Sequence, residues 1–181
     1  MDLQLLQETP SVSMYYDADN DWLFVDWRGE LTLPLVQESC LALAKCFLKR
    51  PYTRILNSNQ SVTDFSLNVP HWLYQEFIPL LSQSGIEYLA WVYSPNMLLK
   101  PFIDKLVSKI EVPVVNLFDD VESAASWLQH TRFHYPPVPA RPCPIARQDA
   151  LATRIQALST ALGHRALGSQ PQYSPLDRQS A

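Results

Sequence analysis

The chain has 181 residues, 47% of them hydrophobic, and a formal net charge of −4 from 14 Lys+Arg against 18 Asp+Glu. That is one ordinary domain with chain to spare, apolar enough to bury a sizeable core, and no apolar run approaches the roughly 18 to 20 residues of a membrane span. The start, MDLQLLQETP, has neither the basic residues nor the long apolar stretch of a secretory signal, and three cysteines without CxxC or metal-ligand spacing suit the same cytoplasmic expectation.

Taken in chain order, SVSMYY and WLFVDW are β-rich runs separated by DADND, a hairpin signal. Gly29 should end the second strand. Thr32 followed by Leu33-Pro34 reads as an N-cap with proline in the first helical turn. The helix that follows should bury Val36, Cys40, Leu43, Ala44 and Phe47, and Pro51 stops it. Cys40 and Cys46 fall on nearly opposite faces of that helix and suit buried hydrophobes, while Cys143 stands alone in a Pro-rich stretch.

YTRIL is the next strand, and it runs into NSNQSVTDFS, read as a polar loop. A second helix should start near Asn68 and end at Gly85, kinked at Pro79, where one backbone hydrogen bond is lost. IEYLAWVYS is a nearly unbroken apolar strand, expected to be covered on both faces. Pro95 and Asn96 open a third helix through LLKPFIDKLVSKI, PVVNLF is the last strand, and DDVESAASWLQ the next helix, capped by Asp119 or Asp120. One hairpin followed by βα units predicts an α/β fold: a mixed, mainly parallel five-stranded sheet covered by helices.

Charge marks the domain boundary. Residues 1–129 hold 8 Lys+Arg against 16 Asp+Glu, a net of −8, whereas 130–181 hold 6 Arg against 2 Asp, a net of +4. Seven of the fifteen prolines lie in the last 52 residues, so HYPPVPARPCP reads as an extended linker. The expectation is a domain over 1–130 and a tail over 131–181. Within the tail, Leu151, Ile155, Leu158 and Leu162 form an apolar helical stripe flanked by Arg147, Arg154 and Arg165. Such a helix is expected to cover its own or a sister domain. Three arginines without bulky aromatics make a poor membrane anchor, and SQPQYSPLDRQSA has the composition of a disordered end.

The polar loop sits where α/β proteins keep their chemistry, at the carboxyl end of a central strand. Nucleotide binding needs clustered glycines for close approach of backbone to phosphate, and the four glycines here are scattered. A phosphoacceptor would need aspartate where Asn57 stands, and a nucleophile elbow would need glycines flanking Ser58. His71, His130, His134 and His164 have no metal-ligand spacing, so no metal and no cofactor is expected. The acidic body also disfavours nucleic acid, whose phosphates need neutralising.

The opening hairpin YYDADNDWLFVDWRG, the strand-loop RILNSNQ, QEFIPLLSQSGIEYLAWVYSP and the closing LFDDVESAASWL resemble the STAS/SpoIIAA-like family over about 120 residues. Within it, they are similar to bacterial "STAS/SEC14 domain-containing" proteins, which are related to anti-sigma-factor antagonists. The resemblance implies a SpoIIAA-like fold and a non-enzymatic regulatory or protein-interaction module. In the antagonists a serine in this loop is phosphorylated, which switches off binding to a partner kinase. The corresponding regulatory or partner-facing loop here is Asn57, Ser58, Ser61, Thr63, Asp64 and Ser66, with Ser58, Ser61, Thr63 and Ser66 its hydroxyl candidates, although none of these is followed by glycine as in the antagonists. The SEC14 half of the name implies an alternative, a carrier or sensor of a small apolar ligand held between sheet and helices. Trp72, Tyr74, Phe77, Trp91 and Phe102 are the candidates to line that pocket, which should enclose a few hundred Å³. The partners expected are another protein and a second copy of the chain, through exposed aromatic surface.

Overall fold

The computed structural model describes residues 2–95, 100–134 and 144–168, apart from the side chains of 102, 106, 132–134, 144–146 and 164–168. The strands are β1 (Leu3–Glu8), β2 (Val12–Asp17), β3 (Trp22–Leu31), β4 (Arg54–Phe65), β5 (Tyr88–Val92) and β6 (Val114–Phe118). They form one sheet in the order β1-β2-β3-β4-β5-β6, antiparallel from β1 to β3 and parallel from β3 to β6. The mixed, mainly parallel α/β sheet is as expected, with six strands rather than five. The additional strand is β1, whose LQLLQE lacks both β-branched residues and strict alternation. It lies at the sheet edge with Leu3, Leu5 and Leu6 exposed.

Alternation along the strands divides the core in two. Leu23, Val25 and Trp27 of β3, Ile55 of β4 and Leu89 of β5 face one side, under α1 (Leu33–Lys49) and α3 (Ile78–Ser84). Trp22 of β3, Leu56 of β4 and Tyr88, Ala90 and Val92 of β5 face the other, under Ala124 and Leu128 of α5 (Val121–His134). In α1 the residues expected inside, Val36, Cys40, Leu43, Ala44 and Phe47, are all buried. Thr32 holds the N-cap position with its carbonyl accepting from Val36 N–H, although its side chain makes no cap bond. Asp120 caps α5, accepting from Ser123 N–H at 2.7 Å and Ser123 Oγ at 2.9 Å. Asp119 instead pairs with Lys100 Nζ at 2.6 Å.

The second helix begins with α2 (Val69–Trp72) and passes through a π turn, Leu73–Phe77, before α3. Proline is the reason. Pro79 supplies no N–H, and its ring would press on the carbonyl four residues back. The helix widens one turn earlier, and Ile78 N–H reaches Leu73 O. Gly85 then closes it in the left-handed conformation, φ 99°.

The tail helix α6 (Pro144–Gly168) lies on the body, packed against α1 and α3. Leu151 and Ile155 are buried in the core on that side, and Leu158 packs against it. Arg147 Nε donates to Gln83 O at 2.9 Å. The side chain of Arg165, the end 169–181 and Cys143 lie outside the described residues. Among the described residues no helix is long and apolar enough to cross a membrane.

Candidate functional site

The stretch expected as a loop is strand. β4 continues to Phe65 because β3 continues beside it: Arg28 pairs with Ser61, Gly29 with Val62, Glu30 with Asp64 and Leu31 with Phe65. Gly29 therefore does not end β3. It turns within the strand at φ 73°, a conformation that suits glycine. Twice β4 carries one residue more than β3, between Ser58 and Ser61 and between Val62 and Asp64. These bulges reset the alternation, so that Asn57, Val62 and Phe65 all meet the α1/α3 side. A polar sequence thus becomes a strand with an apolar underside.

The same geometry sorts the candidate residues. Asn57 and Ser58 are buried, at 7% and 2% exposure, and are not part of an outward-facing edge. Asn57 Oδ1 accepts from Trp27 Nε1 at 2.9 Å. Ser58 hydrogen-bonds the Asp26 carboxylate on the opposite face, where burial raises the Asp26 pKa and the serine partly offsets the rise. Asn59, also buried, donates to Val92 O at 2.8 Å, and Ser94 Oγ donates to Val62 O at 2.6 Å. These two bonds tie the overhanging end of β4 to the chain leaving β5. Ser61, Thr63 and Asp64 are exposed together with Gln60, while Ser66 is half-buried. Leu67, which the sequence reading passed over, is 77% exposed at the turn into α2. A single leucine between Ser66 and Asn68 has no periodicity to mark it.

The pocket candidates do not share one chamber. Trp72 is buried and stacks on Phe77 at 6.4 Å. Phe77 and Trp91 line a hollow between the sheet and α1/α3, whereas Tyr74 and Trp91 line a smaller one of about 30 Å³ beside Ile103 and Val107. The side chain of Phe102 lies outside the described residues. The larger hollow, bounded by Trp27, Cys40, Asn57, Asn59, Phe65 and Leu81 among others, measures about 40 Å³. Ordinary ligand sites enclose roughly 300 Å³ or more. Neither of these two hollows reaches the expected few hundred Å³; an open cleft of about 540 Å³ lies beside Tyr74, Ile78, Ile110 and Val112, away from Trp72, Phe77 and Trp91.

A second polar group joins the ends of β5 and β6 to α4 (Lys100–Val107). Tyr93 hydroxyl donates to Asp104 Oδ1, and Lys100 Nζ lies 4.4 Å above the Tyr93 ring. Burial, then the neighbouring Asp104 carboxylate, pushes the Tyr93 phenol up, so it stays a hydrogen-bond donor. Burial likewise raises the Cys40 and Cys46 thiols. Among the described residues no group of three or more His, Cys, Asp or Glu is placed to hold a metal ion.

No family model matches the sequence, and no curated protein does. Solved structures similar to it include the following two. One is an uncharacterized protein of the DUF3478 family with a SpoIIAA-like fold, from Shewanella loihica PV-4. It is 16% identical, the match covers 68% of this chain and 98% of that one, and the TM-score is 0.48. The other is apo-SiaC from Pseudomonas aeruginosa, 12% identical over 65% of this chain and 99% of that one, with a TM-score of 0.38.

Proposed function

We propose that this chain is a non-enzymatic protein-interaction module of regulatory role, with segment 60–68 as its partner-facing edge. The observation that carries the reading is the overhang of β4. Beyond Ser58 the strand has outrun β5, its underside is packed and tied by the Asn59 and Ser94 bonds, its outer side offers Gln60, Ser61, Thr63 and Asp64 to solvent, and the turn that follows adds Leu67. A rigid element that presents polar residues around one exposed apolar side chain suits recognition. The net −8 of residues 1–129 favours a basic surface on the partner, since complementary charge speeds encounter and suppresses wrong partners.

Ser61 and Thr63 are the residues of this edge open to phosphorylation, which adds about −1.5 to −2 charges and would turn a basic partner's preference into tighter binding. Ser58, buried between β3 and β5, is out of reach of a kinase in the folded chain. A homodimer is part of the proposal too, through the unpaired edge of β1. The large exposed hydrophobics among the described residues are aliphatic rather than aromatic, and Leu3, Leu5 and Leu6 lie on that edge.

The test is affinity capture from the native host with the wild-type chain and with Leu67→Asp, compared at equal thermal stability. A protein retained at defined stoichiometry by the wild type and lost with Leu67→Asp supports the reading. Equal retention by both places the interface elsewhere.

A further inference from the structure

The hollow beneath β4 contains two groups that apolar packing does not explain. Asn57 and Trp91 are register partners on β4 and β5, so they stand side by side on one face of the sheet, and both line the hollow. The bond from Trp27 Nε1 fixes the Asn57 amide, because the flipped amide would set its N–H₂ against the indole donor. Asn57 Nδ2 is thereby held away from Trp27. It and Trp91 Nε1 are both buried, and neither has a partner among the described residues. Trp22 Nε1 and Gln37 Nε2 are also buried without a partner, but Asn57 and Trp91 are the two that stand side by side and line one hollow, and donors with nothing to donate to are costly.

We propose that this hollow is a binding site for one uncharged acceptor oxygen, held by Asn57 Nδ2 and Trp91 Nε1. The lining sets the chemistry. Its polar groups are amides, indoles and the Cys40 thiol, with no lysine or arginine, so an anion would be buried without a countercharge. Its size sets the scale. A water needs roughly 10–15 Å³ measured this way, and about 40 Å³ is present. Two sources share the chemistry: solvent water, and the carbonyl oxygen of a very small apolar molecule. Either would brace the middle of β4 from below, between Phe65 and the π turn, whether or not segment 60–68 meets a partner.

The test is a crystal structure of the full chain at a resolution that shows ordered solvent, paired with mass analysis of an organic extract of the same protein. The expected result is density about 2.7–3.2 Å from both nitrogens. With no stoichiometric organic compound in the extract the occupant is water; with one, it is a carbonyl ligand. Trp91→Phe removes one donor, and the density should then shift towards Asn57 or lose occupancy while the fold is kept. A dry hollow in the wild type, or both N–H groups turned onto protein acceptors, overturns the proposal.

Discussion

Truncating Leu151 to alanine tests whether α6 is part of the folded body. Leu151 is 2% exposed and Ile155 4%, both within the core formed with α1 and α3. A buried Leu→Ala change costs about 2–5 kcal/mol, the lost transfer energy plus the cavity left behind. For a domain of this size each kcal/mol lowers Tm by about 2–4 °C, so a cost near the middle of the range, ~3 kcal/mol, should lower it by about 6–12 °C. Gln156→Ala, on the exposed side of the same helix, should stay within about 0.5 kcal/mol of wild type. Thermal melts followed by circular dichroism give both values. If α6 were only loosely laid on the surface, it would detach first, and the loss would be capped at its small docking energy. A Leu151→Ala melt indistinguishable from that of Gln156→Ala refutes the packing argument.

Three further outcomes are expected. Arg54 is buried and donates to Leu128 O, Asn20 O and Asp21 O, with its guanidinium 5.7 Å from the Trp22 ring; Arg54→Met strands those carbonyls at about 1–3 kcal/mol each, so urea unfolding should show a loss on the order of 3 kcal/mol or more. Burial raises the Asp26 pKa, so the carboxyl's contribution is fully present below its unfolded value and is lost as pH rises through the raised folded value; Asp26→Asn should remove that part of the acid-range profile and be the more stable at neutral pH. In a Cys143→Ser background, Cys40 and Cys46, buried with raised thiol pKa values, should react with a thiol reagent only at the unfolding rate; rapid labelling of either would contradict the packing of α1.

The legible parts of this fold are those where side-chain pattern and backbone geometry agree. The buried face of α1, the cap at Asp120, the stop at Gly85 and the apolar β5 all follow from local chemistry that tertiary contacts did not need to override. β1 was not legible because an edge strand is exposed on most of its length and so needs no alternation. The overhang of β4 was misread for a different reason. Asn, Ser, Gln and Asp are poor strand formers taken singly, and what makes them a strand is the continuation of β3 past Gly29 together with two bulges. No local pattern announces a bulge, since it appears only when two distant strands are counted against each other. The pocket was not legible, because large aromatics such as Trp72, Phe77 and Trp91 suit a dense core and a ligand wall equally well, and volume is not written in the sequence.

The most direct test of the central claim is site-specific photocrosslinking in the native host. A photoreactive residue is placed at Ser61 or Leu67 and, as controls, at the exposed positions Lys109 and Thr153. A protein-interaction edge at 60–68 predicts one discrete crosslinked species from positions 61 and 67 that is absent from 109 and 153. Crosslinks from the controls alone, or the same products from all four positions, would contradict it.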